Sequence, residues 1–176
     1  MNIRMVAALV GVTLVLVAAA CGPGGDSPTP EQRRYVADAC ESFADYVEGL
    51  IEAGVPGFED VSTLDDALAG LLDLKAVSQA ALTEFSRIEP HIDMRDGHEQ
   101  ILAVLETEIA GLELLTAALR SRDEERLNQA LNDTDPMADL AGMSPTSFFP
   151  TDVPGYEEAW NKECAPRLRQ IEDAAP

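Results

Sequence analysis

Both histidines of the chain fall within nine residues, His91-Ile92-Asp93-Met94-Arg95-Asp96-Gly97-His98-Glu99, together with three carboxylates. Imidazole nitrogens and carboxylate oxygens are ordinary ligands of divalent cations, so His91 and His98 are the residues that would hold a metal. The same residue types also write a helix start. Asp96 would be the N-cap, Glu99 would close a capping box three residues on, and His98 would sit exposed in the first turn. The metallopeptidase spacing fails, because Leu102 stands four residues after His98, where a second histidine is needed. The helix start is the expected role. No metal and no other cofactor is expected.

Catalytic chemistry finds no foothold elsewhere. Gly-x-Ser-x-Gly, a phosphate-cradling glycine loop and Gly-x-Gly-x-x-Gly are all absent from the sequence. Carboxylate pairs recur at Asp65-Asp66, Asp123-Glu124-Glu125 and Glu157-Glu158. With 32 acidic residues against 12 basic ones, and a net charge of −20, such pairs are ordinarily solvated helix faces. Asp133 and Asp135 lack the glycine and distal glutamate of a calcium loop. The chain is expected not to be an enzyme. The same acidity argues against nucleic acid, since no basic stripe is present to displace counterions from phosphates.

The 176 residues leave room for one modest domain, and 12 Gly, 11 Pro and 3 Cys exclude collagen-like and disulfide-dense classes. No stretch alternates with period two, whereas several carry apolar residues at 3,4 spacing, which predicts helices. Thr29-Pro30-Glu31-Gln32 reads as a capping box with proline at the first helical position. The stripe Val36, Cys40, Phe43, Val47, Leu50 follows, and Gly54 and Pro56 stop it. A second helix starts near Thr63, with Asp66 three residues on, and carries Leu71, Leu74, Ser78, Ala81, Phe85 and Ile88 until Pro90 ends it. A third runs from Asp96 along Leu102, Leu105, Ile109, Leu112, Thr116 and Leu119. Ser121-Arg122-Asp123-Glu124 either continues it or restarts a new one through Leu127 and Leu131. The last helix, from about Val153, stacks Tyr156, Trp160, Cys164, Leu168 and Ile171 on one side, with a kink at Pro166. Amphipathic helices of this length hide their stripes against one another, so the expected fold is all-α, an up-and-down bundle of about four helices over residues 29–176. Tyr156 and Trp160, which share a face with Cys164 and Leu168, are expected in its core.

Between the third and last helices, Met137, Leu140, Met143, Phe148 and Phe149 form an apolar cluster in a loop rich in turn residues. Met137, Met143, Phe148 and Phe149 would suit an apolar ligand or a partner helix. The favoured reading is that this segment folds over one end of the bundle and plugs its core.

The N-terminus is an address. One basic residue, Arg4, precedes an uncharged 16-residue apolar run, Met5–Ala20, which is short for a transmembrane span of about 20 residues. Its end, Val17-Ala18-Ala19-Ala20-Cys21, resembles a bacterial lipobox, with Ala18 where leucine is commonest. That resemblance implies a signal peptide over residues 1–20, cleavage before Cys21 and lipidation of Cys21 as the new N-terminus. Loss of Arg4 then makes the mature chain more acidic still. An anionic lipid surface would repel it, so the lipid must hold it at the membrane. Residues 21–28, Cys-Gly-Pro-Gly-Gly-Asp-Ser-Pro, read as a flexible tether.

The layout as a whole is similar to that of uncharacterised helical lipoproteins of actinobacteria. Its features are a Cys in the first helix, a Pro-hinged hairpin at Ile88-Glu89-Pro90, a long third helix and a closing Cys near the end. The resemblance implies the fold and the extracytoplasmic face of the cell membrane, and carries over no catalytic residue. With Cys21 lipidated, two thiols remain in a compartment that permits oxidation. Cys40 and Cys164 each lie on an apolar stripe at matching heights, so a disulfide is expected, with two buried free thiols as the rival. The expected function is an interaction or structural module of the cell envelope, with a protein partner there. The alternative is a carrier of a small apolar ligand or lipid in a cavity between the helices.

Overall fold

The computed structural model describes residues 27–53, 63–133 and 155–174. The signal segment, Cys21, and the loop residues Met137, Met143, Phe148 and Phe149 lie outside the described residues. Within them the regular structure is all helical: α1 (Pro30–Glu52), α2 (Leu64–Phe85), a 3₁₀ turn (Ile92–Met94), α3 (Arg95–Ser121), α4 (Glu124–Asp133), α5 (Tyr156–Glu163) and α6 (Ala165–Ala174).

The first two helices start where the sequence says they should. The Thr29 hydroxyl accepts from the Gln32 amide at 3.2 Å, and the Gln32 side chain accepts from the Thr29 amide at 2.9 Å. Thr63 and Asp66 repeat this reciprocal pair at 3.1 and 3.2 Å. Each box satisfies two of the four amides a helix N-terminus leaves over. Pro28, read as tether, is already buried just before α1.

The third helix departs from expectation at its start. It opens at Arg95, its N-cap is Met94, and no side chain caps it. The capping side chain belongs to the 3₁₀ turn before it, where His91 Nδ1 accepts from the Asp93 amide at 3.4 Å. Asp96 therefore sits exposed inside the first turn, and His98 is buried rather than exposed. The physical reason is Met94, whose fully buried side chain plugs the core and pulls the preceding turn inward. The expected stripe of α3 holds at Leu105, Leu112, Thr116 and Leu119, all buried, while Leu102 and Ile109 are half-buried and Ile101, Glu108 and Leu115 are buried beside it.

The undecided junction after α3 is a restart. Arg122 adopts a left-handed conformation (φ 54°, ψ 27°) that ends the helix. Asp123 Oδ1 then accepts from the amides of Glu125 and Arg126, both at 3.1 Å, and opens α4. At the C-terminal end the helix is divided rather than kinked. Cys164 separates α5 from α6, and Pro166 falls in the first turn of α6, where its missing N–H costs nothing.

Paired contacts give the helix directions. Tyr35 meets His98 and Tyr46 meets Glu108, so α1 and α3 run the same way. Phe85 stacks near His98 while Lys75 reaches Glu113, so α2 runs opposite to α3. Cys40 bonds Cys164 and Asp45 pairs with Arg167, so α5 and α6 run alongside α1 in the same sense. The core has two parts. One, around Val36, Cys40, Phe85, Met94, Trp160 and Cys164, joins α1, α2, α3, α5 and α6. The other, around Leu50, Leu71, Leu74, Leu112, Leu119 and Leu127, joins α1 to α2, α3 and α4. Tyr46 packs against both. Tyr156 and Trp160 are core residues, as their stripe implies.

Candidate functional site

Two tyrosines on α1, three helical turns apart, each reach a buried ionisable group on α3. The Tyr35 hydroxyl lies 3.2 Å from His98 Nδ1, with the rings edge to face at 5.8 Å. Burial, first of all, holds the imidazole below its ordinary pKa of 6.5, against the opposing pull of Glu99 and a hydrogen bond to the Phe85 backbone. The neutral ring is therefore the form the core accommodates. Burial also pushes the Tyr35 phenol far above its usual value.

Further along, the Tyr46 hydroxyl sits 2.9 and 2.8 Å from the two carboxylate oxygens of Glu108. Glu108 is only 5% exposed, and Ser78 of α2, fully buried, donates to the Leu74 carbonyl at 3.0 Å. Burial raises the Glu108 carboxyl above the ordinary carboxylate range, and the bonds from Tyr46 offset part of that. Tyr46 and Glu108 thus form a buried polar link between α1 and α3.

At the surface, α1 and the α2–α3 connection enclose an open groove of about 920 Å³. Glu31, Asp38, Glu41 and Asp45 line it from α1, Glu84 from α2, and Glu89 from the connection, opposed by Arg34 and Arg87. Asp38 pairs with Arg34 at 3.7 Å, Glu84 with Arg87, and Asp45 with Arg167 at 3.0 Å. Glu41 and Glu89 are exposed in the same groove, and Glu31 faces His91 at 3.9 Å. Such a hollow favours a cationic occupant, by Coulomb attraction at a partly desolvated wall.

No family model, characterised protein or solved structure matches this chain.

The residues singled out from the sequence are placed as follows. His91 lines the groove, with Nδ1 3.3 Å from Asp93, while His98 is in the core against Tyr35 and Phe85. The two histidines thus take separate partners. Among the described residues, no three His, Cys, Asp or Glu side chains are grouped to hold a metal ion. Cys40 and Cys164 form a disulfide with Cα atoms 5.4 Å apart. Among the described residues, no helix is long and apolar enough to cross a membrane. Sequence reasoning missed Tyr35, Tyr46 and Glu108. A usable signal existed, since Glu108 follows Leu105 by three residues and precedes Leu112 by four, and Ser78 was a hydroxyl on an apolar stripe.

Proposed function

We propose that the chain is a lipid-anchored interaction module on the extracytoplasmic face of the cell membrane, akin to the helical lipoproteins its layout resembles. In this reading residues 1–20 are a cleaved signal peptide, Cys21 carries the lipid, and residues 21–28 tether the domain that follows. Helices α1 to α3 form the successive antiparallel members of an up-and-down bundle, which α4 and the α5–α6 pair close. The module does no catalysis. It presents its acidic groove to a basic segment of a protein partner in the envelope.

The groove itself carries this reading: six carboxylates against two guanidinium groups, in a hollow large enough for several side chains. Recognition by such a surface is steered by charge and weakened by salt. The test is native mass spectrometry of the protein purified from its own membrane, with and without Glu41→Lys and Glu89→Lys. The reading expects a basic protein bound in the wild type, released by salt and lost in the double variant. Recovery of the chain alone, or of a partner indifferent to both changes, would set it aside.

A further inference from the structure

We infer that the occupant of the groove is a helix, a basic amphipathic segment that lies along α1 with lysines or arginines seven residues apart and one apolar side chain set against Ile92. This rests on the acidic groove as the binding site. Glu31, Asp38, Asp45 and Glu52 are exposed at seven-residue intervals on α1, and the first three line the groove. Seven residues make nearly two full turns, with a drift of about 20°, so the row runs almost straight in steps of about 10.5 Å. A second helix laid alongside has the same rise, so basic residues seven apart on it meet the row carboxylate by carboxylate. An extended segment does not. A step of about 10.5 Å is about three of its residues, and an odd interval turns every second basic side chain away. The size agrees: a helix with its side chains is about 10 Å across, so about two turns of one fill 920 Å³.

The carboxylates of the row are open to exchange. Asp38 is held by Arg34 at 3.7 Å, in a pair whose side chains are 49% and 85% exposed, and pairs of that kind are worth little. Glu41 on α1 and Glu89 on the connection are exposed on the two walls of the hollow, so a basic side chain between them meets carboxylates from both. Ile92 adds an apolar requirement. It lines the groove and is 62% exposed, while Ile88 on the same wall is half-buried against the core. A bare isoleucine beside carboxylates gains nothing from a hydrophilic polycation, and gains from an apolar side chain laid over it. Charge spacing and Ile92 together select an amphipathic helix.

The test titrates the full chain in detergent with two alanine-rich peptides of identical composition, each with several lysines and one leucine. In one the lysines stand seven apart, and in the other the same residues are shuffled. The spaced peptide should bind about tenfold tighter and gain helicity on binding, read by circular dichroism. Ile92→Ser, a change at an exposed position, should weaken it about fivefold. Equal affinities, a bound peptide that gains no helix, or an affinity untouched by Ile92→Ser would overturn the helical occupant and leave the acidic groove standing. No binding of either peptide, or binding indifferent to Glu41→Lys with Glu89→Lys, would overturn the site itself.

Discussion

Cys40 and Cys164 are bonded across two helices that run in the same sense, with Cα atoms 5.4 Å apart and a sequence separation of 124. Their bond ties the last pair of helices to the first one. Closing so long a loop restricts the unfolded chain by about 5 kcal/mol in the chain-entropy model. Replacing both cysteines with alanine should cost about 2–5 kcal/mol, read by denaturant unfolding. Intact mass of the unreduced protein checks the bond itself. Thiols that react with iodoacetamide after unfolding, with no reductant added, would contradict it.

Gly49 of α1 packs directly against Val77 of α2. A Cβ built there would lie 2.8 Å from Val77 Cγ1, and valine is stiff at χ1. Alanine gains up to about 1 kcal/mol in helix propensity, while overpacking costs about 1–3 kcal/mol. Gly49→Ala should therefore destabilise by about 1 kcal/mol, and adding Val77→Ala should relieve the clash. Thermal melts of the two single variants and the double variant measure the coupling. Strict additivity would mean that the helices do not meet at this point.

His98 sets an acid-side limit. Because the folded pKa is lowered, the stability it contributes is present above the unfolded value of about 6.5 and is lost as pH falls through the folded value. The melting temperature of the wild type relative to His98→Gln should fall as pH drops below about 6.5. A constant difference across that range would place a freely titrating imidazole at this position.

The turn before α3 gives a prediction with an unequal pair. Asp96 is in the first turn of α3 without capping it, so Asp96→Ala should cost only the dipole contribution of about 0.3–1 kcal/mol. Thr63→Ala, which removes a working cap on α2, should cost about 0.5–2 kcal/mol. Equal losses from the two in urea unfolding would restore Asp96 as a cap.

What could be read in advance depended on how local the determining physics is. The capping boxes at Thr29 and Thr63 involve residues three apart, and both were legible. So were the apolar stripes of α1, α2 and the C-terminal helices, and the pairing of Cys40 with Cys164. The start of α3 was not, because burial of Met94 outweighed a locally attractive cap at Asp96. The stripe of α3 was legible from Leu105 to Leu119, but the burial of Glu108 beside it was not. A carboxylate among apolar residues reads as solvated until Tyr46 arrives from another helix. The parallel run of α5 and α6 beside α1 is a tertiary outcome too, since matching heights for two cysteines suit either direction.

The most direct measurement is the intact mass of the protein taken from its native membrane, compared with the detergent partitioning of Cys21→Ser. The expected result is a polypeptide that begins at Cys21 and carries acyl chains, with Cys21→Ser released from the membrane and from the detergent phase. A globomycin-type inhibitor should meanwhile accumulate the precursor. A chain that retains residues 1–20, or a Cys21→Ser protein that partitions as the wild type does, would contradict a lipid-anchored module.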